Sequence, residues 1–135
     1  MVIRKAAEDY LEAMLILDRQ NGYVRSVDVA DFLGVTKPSV SYATKRLREG
    51  GYIGMEKDGR ITLKPSGLAI AERMLQRHTV LADLLMALGV DAETARQDAC
   101  NIEHEISDAS FDAIAAHAGG RMQAKKSAAS DLKKQ

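Results

Sequence analysis

Gly34-Val35-Thr36-Lys37-Pro38-Ser39-Val40-Ser41-Tyr42 is the stretch whose reading decides the fold. Gly34 closes what precedes it, Thr36 is a helix N-capping residue, and Pro38 falls inside the first turn, where its missing N–H costs nothing. The spacing predicts a helix from here to about Arg48, stopped by Gly50-Gly51. Upstream, Ser26 reads as the N-cap of a shorter helix, Val27 to Leu33, with Asp28 in its first turn. Two short helices joined by a tight Gly-containing turn make a helix-turn-helix. In the second helix Val40, Ala43 or Thr44, and Leu47 form the inward stripe. Lys37, Ser39, Ser41, Tyr42, Lys45, Arg46 and Arg48 fall mainly on the remaining faces. That outer surface is basic and hydrogen-bonding, as a helix lying in the major groove must be.

Beyond Gly51 the period changes from helix to strand. Tyr52-Ile53-Gly54-Met55 and Arg60-Ile61-Thr62-Leu63 are short β-like runs, and Glu56-Lys57-Asp58-Gly59 between them carries an Asp-Gly turn signal. A hairpin directly behind a helix-turn-helix is a wing, and Lys57 and Arg60 near its tip suit phosphate or minor-groove contact. Between Thr36 and Arg60 six basic residues (37, 45, 46, 48, 57, 60) face three acids (49, 56, 58). The whole chain has a formal net charge of zero, so any DNA-binding surface must be this local one. A basic stretch alone is usually a solvated face; on the outside of a helix-turn-helix plus wing it reads as a DNA-binding one.

On the N-terminal side, Ile3, Ala7, Leu11, Met14 and Leu17 recur every three or four positions to about Gln20, a leading amphipathic helix ended by Asn21-Gly22. Asp9 and Glu12 lie beside its stripe, where a solvated acidic face is the plain reading. On the C-terminal side, Pro65-Ser66-Gly67 opens a long helix to about Leu88-Gly89, with the stripe Leu68, Ala71, Leu75, His78, Leu81/Ala82 and Leu85. At about 1.5 Å per residue it spans roughly 30 Å, enough to leave one module and build a second. His78 on that stripe is a core histidine unless partners supply a reason to make it a ligand. Asp91 then caps a helix carrying Asp98-Ala99-Cys100-Asn101-Ile102-Glu103-His104-Glu105. Cys100, Glu103 and His104 stand at i, i+3 and i+4, so thiolate, carboxylate and imidazole share one face. Three donors on one helix still need ligands from elsewhere. Ser107-Asp108 starts a last helix to about Ala118, and Phe111, Ile114 and Ala115 with Leu84, Leu85 and Leu88 form an apolar surplus that suggests a dimer interface. No internal repeat is present.

The 135 residues suit one compact unit or two very small ones, and 46% of them are apolar, although only two Phe and no Trp help to fill a core. One cysteine excludes an internal disulfide and favours a reducing compartment. No apolar run approaches the ~20 residues of a membrane span, and no signal-peptide core is visible, so the expectation is a soluble, cytoplasmic protein. The expected organisation is mainly α: a winged helix-turn-helix DNA-binding domain over residues 1–64, a helical metal-binding and dimerisation domain over 65–120, and a Lys/Ala/Ser-rich tail over 121–135.

Taken in order, Glu8-Asp9-Tyr10-Leu11-Glu12, Val35-Thr36-Lys37-Pro38-Ser39-Val40-Ser41, Leu63-Lys64-Pro65-Ser66-Gly67, Gln76-Arg77-His78 and Asp98 to His104 resemble the diphtheria-toxin-repressor family of metal-dependent transcriptional repressors. The resemblance covers residues 3 to about 118. The length is similar to the shorter manganese-regulator branch, without the SH3-like domain of longer members. It implies a metal site of Asp9, Glu12, His78, Cys100, Glu103 and His104. Cys100 stands where the manganese branch carries a carboxylate and is similar to the iron branch; Asp9 does the reverse. Ala82 and Arg96 occupy the positions of the iron branch's ancillary ligands, so that second site is not expected. The resemblance implies Fe(II) or Mn(II), one or two per subunit, as the signal that makes a homodimer bind operator DNA and repress genes of metal homeostasis.

Groove contacts are expected from Lys37, Ser39, Ser41 and Tyr42, and phosphate contacts from Lys45, Arg46, Lys57 and Arg60. No oxyanion hole, glycine-rich phosphate cradle or substrate pocket is visible, and His104-Glu105 is not followed by the second His of the zinc-peptidase motif, so neither an enzyme nor a small-molecule substrate is expected. The alternative is a winged-helix regulator that uses Cys100 as a redox switch rather than a metal ligand.

Overall fold

Helical spacing at the start of the chain becomes α1 (Lys5–Asn21), which is followed by α2 (Ser26–Leu33) and α3 (Lys37–Glu49). Strands β1 (Ile53–Met55) and β2 (Ile61–Leu63) precede α4 (Pro65–Ala87) and α5 (Ala92–Glu105), and a further helix, α6, covers residues 108–118. This computed structural model describes residues 5–118; the expectations for Ile3 and for a tail over 121–135 lie outside the described residues. The chain divides into two compact units between Leu75 and Gln76, within α4.

The first unit is organised by α1. Its expected stripe is too narrow: Tyr10, Ala13 and Leu15 are buried beside Leu11, Met14 and Leu17, and Ala7 is only partly covered. The reason is that α2, α3 and β2 all pack against α1, which covers more than one face of it. Burying Leu11 or Met14 completely contributes on the order of 1.5–3 kcal/mol each. Val24, Val29, Val40, Leu47, Ile53, Ile61 and Ala71 complete this core.

The turn chemistry explains the helix-turn-helix. Gly34 takes the left-handed conformation (φ 66°) that ends α2, and Thr36 Oγ1 accepts from the Ser39 N–H at 3.2 Å to start α3. One cap differs from expectation. Arg25, not Ser26, is the N-cap of α2, because the Asp28 carboxylate accepts the Arg25 N–H at 2.9 Å and draws Ser26 into the first turn. In α3 the inward residue is Thr44, whose hydroxyl donates to Ser41 O at 3.1 Å, while Ala43 packs at the edge of the core.

The wing is an antiparallel hairpin with Ile53 opposite Leu63, Gly54 opposite Thr62 and Met55 opposite Ile61. A single bridge between Arg25 and Arg60, with the Ile61 N–H donating to Val24 O at 2.8 Å, ties it to the segment before α2. Gly67 lets α4 start against the hairpin: a Cβ there would stand 2.1 Å from Tyr52 O.

The buried line of α4 also corrects the expected stripe. Ala71, Met74, Arg77, Leu81 and Ala82 are buried, whereas Leu68, Leu75, His78 and Leu85 are half-buried. In the second unit Leu81, Ala82, Ala99 and Phe111 form a small core, with Ile106, Ile114 and Ala115 at its edge. Phe111 thus serves this unit's own core rather than an apolar surplus, while Leu88 remains 64% exposed. Asp91 caps α5 as expected, accepting from the Thr94 N–H at 3.0 Å, and Ser107 Oγ accepts from the Ser110 N–H at 3.1 Å to open α6.

Candidate metal centre and nucleic-acid interface

In the second unit the last two turns of α5 bring one thiol, one carboxyl and one imidazole together. The ligand atoms of Cys100, Glu103 and His104 lie within 4.8 Å of one another. Glu103 is at the centre and is 0% exposed. Its Oε2 lies 3.1 Å from Nδ1 of His78 on α4, and its Oε1 lies 3.4 Å from Nε2 of His104. The second oxygen is orphaned: among the described residues Glu103 Oε1 is buried and accepts no hydrogen bond. A buried carboxylate oxygen is costly to leave unpaired, and a bound cation supplies that pairing. The hydrogen bond to Glu103 raises the pKa of His78 above its usual value, against the opposing effect of burial. Cys100 is exposed.

Oxygen, nitrogen and sulfur donors in this proportion suit a divalent transition ion, and the thiol adds affinity for the softer members of the series. A buried carboxylate oxygen without a donor, beside two imidazoles, fits a cation better than it fits a dry core.

In the first unit Asp9 and Glu12 stand at i and i+3 on α1, Asp9 half-buried and Glu12 buried. A solvated acidic face does not sit that way. Glu8 is buried too, with Arg73 Nη2 3.8 Å from its Oε2.

Sequence reasoning missed Arg77. It is 5% exposed, and its Nη1 donates to the carbonyls of Glu103 at 3.1 Å and Ile106 at 2.8 Å. Its Nη2 donates to Asp108 Oδ1, and its guanidinium lies over the Phe111 ring at 5.2 Å. The signal was present: Met74 and Leu81 flank Arg77 at i−3 and i+4, which puts it on the apolar side of α4.

On the first unit every expected DNA-contacting residue is exposed: Lys37, Ser39, Ser41, Tyr42, Lys45 and Arg46 on α3, and Lys57 and Arg60 on the hairpin. Four of them are already engaged. The Ser39 hydroxyl shares a hydrogen bond of 2.8 Å with Thr36 Oγ1, so it belongs to the helix cap. Arg46 Nη1 donates to the Tyr42 hydroxyl at 2.9 Å, with its guanidinium 5.6 Å from the ring centroid. Arg60 Nε donates to Asp58 Oδ2 at 2.7 Å.

Comparison with known proteins matches both halves. Residues 3–61 match the N-terminal DNA-binding domain of iron-dependent repressors, and residues 64–124 match the metal-binding and dimerisation domain of iron-dependent repressors. The HTH-type transcriptional regulator MntR of Lysinibacillus sphaericus is 38% identical over 108 residues, covering 80% of this chain and 78% of that protein. Transcriptional regulator MntR of Salmonella typhimurium is 37% identical over 113 residues, 84% of this chain and 72% of its own length. Among solved structures, a manganese-dependent transcriptional repressor in complex with manganese is 29% identical with a TM-score of 0.74. IdeR of T. acidophilum is 26% identical with a TM-score of 0.73. The matches cover 84% and 88% of this chain but only 52% and 55% of those two chains, so the chain spans about half their length.

Proposed function

The chain belongs to the iron-dependent repressor family, and from that premise we propose that Asp9, Glu12, His78, Cys100, Glu103 and His104 hold the metal that switches its DNA binding. It is a DNA-binding transcriptional repressor that depends on Fe(II) or Mn(II), acts as a homodimer on operator DNA, and is not an enzyme. The redox reading of Cys100 draws no support from these relatives. The observation that carries the proposal is Glu103: fully buried, between two imidazoles, with one oxygen lacking a donor.

Within the second unit Glu103 and His78 are arranged before any ion arrives, and Cys100 and His104 add a thiolate and an imidazole from the same helix face. Asp9 and Glu12, on the first helix, supply the remaining carboxylates. A divalent cation, when bound, supplies the positive charge that lets these carboxylates and the thiolate share one site. The residues do the rest. On this proposal, ligation fixes the reading heads of the dimer at one spacing, matched to successive major grooves about 34 Å apart. Orientational freedom is then lost before DNA is met, so operator affinity rises, and operator DNA tightens metal binding by reciprocity. One or two ions per subunit are compatible with six ligands.

Lys37, Ser41 and Tyr42 are the residues we assign to the groove, with Ser39 fixing the helix start, and Lys45, Arg46, Lys57 and Arg60 to phosphates. Control of metal homeostasis and a cytoplasmic location belong to the same reading; among the described residues no helix is long and apolar enough to cross a membrane.

The test is an anaerobic titration of chelator-treated protein with Fe(II), Mn(II) and Zn(II), following binding to its own promoter DNA by fluorescence anisotropy. Binding that switches on with Fe(II) or Mn(II), and is lost in Glu103→Gln, is the expected result. Equal DNA binding without metal would remove these six residues from the switch.

A further inference from the structure

Arg77 and His78 are neighbours on α4, and both reach Glu103: His78 touches its carboxylate at 3.1 Å and Arg77 its main-chain carbonyl at 3.1 Å. We propose that Arg77 is a positioning residue for the metal centre, locking the end of α5 so that Glu103 is presented to the ion at a fixed place. The inference rests on the metal-site reading above and extends it to a residue that touches no ligand atom.

The last carbonyls of any α-helix have no partner within the helix. α5 stops at Glu105, and two of its terminal carbonyl groups, on Glu103 and on the following Ile106, are taken by one guanidinium nitrogen. The other nitrogen is anchored on Asp108, in the first turn of α6, and the guanidinium carbon lies over the Phe111 ring of the same helix. One planar group thus joins the side of α4, the end of α5 and the start of α6. The carbonyl it holds belongs to the residue whose carboxylate is the centre of the ligand cluster. Displacing that carbonyl displaces Glu103, and the turn that contains it carries Cys100 and His104.

Lysine cannot substitute. A single ammonium is a point charge, without the fork that spans two carbonyls and a carboxylate, and it lacks the planar group that lies over Phe111. The buried cation also sits beside a buried anion, but the contact is to the peptide oxygen, so its effect on the ion is through place rather than through pairing with the ligand carboxylate.

The experiment measures Mn(II) affinity by chelator competition on the intact dimer, at a temperature well below each variant's melting point, for wild type, Arg77→Lys and Asp108→Asn. Removing an outer partner of a metal ligand typically costs about 10- to 100-fold in affinity; a loss in that range is expected for Arg77→Lys. Asp108→Asn removes only the solvent-facing anchor and is expected to show a smaller loss in the same direction. A broadened Mn(II) electron-resonance signal relative to wild type is expected in both. If Arg77 only stabilises the fold, both variants melt earlier while the folded protein binds Mn(II) with unchanged affinity and signal, which overturns the inference. If Arg77→Lys does not fold, Asp108→Asn decides alone by the same criterion. Wild type that binds neither Mn(II) nor Fe(II) would overturn the metal-site reading itself, a separate outcome from wild type that binds and variants that match it.

Discussion

His78 Nδ1 lies 3.1 Å from Glu103 Oε2, so an imidazole that half faces solvent closes one side of a carboxylate that does not. In metal-free protein this pair is the centre's own charge compensation, with Glu103 as the hydrogen-bond partner that raises the pKa of His78. A raised folded-state pKa stabilises the fold fully below the unfolded value of about 6.5 and loses that contribution as pH rises through the folded pKa. The melting temperature of chelated wild type should therefore exceed that of His78→Gln most at low pH, and the gap should narrow as pH climbs past neutrality. Melts in matched buffers from pH 5.5 to 8.5 read this directly; a gap that widens with pH would refute the pairing.

Metal binding should run the opposite way. A histidine ligand must be neutral, so protons held by His78 compete with the ion. Mn(II) affinity is expected to fall as pH is lowered through the His78 titration, with protons released on binding. Calorimetry in two buffers of different ionisation enthalpy measures that release, and equal heats in both would count against His78 as a ligand.

Glu103 is the residue whose function and stability should separate. Its buried carboxylate has an oxygen without a hydrogen-bond donor among the described residues, so replacing a charge by an amide relieves desolvation. Glu103→Gln is expected to leave the chelated protein within about 1 kcal/mol of wild type at pH 8, or slightly above it, while abolishing stabilisation by Mn(II). Denaturant melts with and without the ion test both halves. A metal-free variant several kcal/mol weaker would show that Glu103 is there for the fold.

Much of this architecture was legible because it is local. The Thr36 cap, the Gly34 turn, the Asp58-Gly59 hairpin and the i, i+3, i+4 placement of Cys100, Glu103 and His104 each depend on a few neighbouring residues. What the residues alone did not reveal is tertiary. Glu12 looks solvated on a helical wheel, yet it is buried. The position of Arg77 on the apolar side of α4 was legible, but its partners were not, because they are carbonyls 26 and 29 residues away in sequence. The resemblance to a family picked out Asp9, Glu12 and His78 as ligands; their spacing by itself did not. The choice between Ala43 and Thr44 turned on a hydroxyl that could satisfy itself within its own helix turn.

Gly67 should be intolerant of any side chain. The nearest atom to an added Cβ is a backbone oxygen, Tyr52 O at 2.1 Å, with Leu11 Cδ2 at 3.3 Å behind it. That oxygen already accepts the Lys64 N–H at 3.0 Å, so it cannot move aside without breaking the junction of hairpin and α4. Gly67→Ala is expected to cost about 1–3 kcal/mol or more by overpacking, despite alanine's better helix propensity. Urea melts read the loss; an unchanged or raised midpoint would mean that α4 shifts freely against the hairpin.

Charge on the DNA face should be additive in one place and masked in another. Lys45 is exposed on α3, whereas Arg60 on the hairpin is bonded through Nε to Asp58 at 2.7 Å. Each phosphate neutralised by a basic side chain contributes about one counterion to the salt dependence of binding. Lys45→Ala should therefore weaken binding to specific and random DNA alike and reduce the salt slope by about one. Asp58→Asn should do the reverse, because it removes an acid from the hairpin and frees Arg60 from its internal partner. Anisotropy titrations of the metal-loaded protein across a range of salt concentrations give both slopes. An unchanged slope for Lys45→Ala would take that residue off the phosphate backbone, and weaker binding by Asp58→Asn would mean that the ion pair holds Arg60 in its DNA-contacting position rather than away from it.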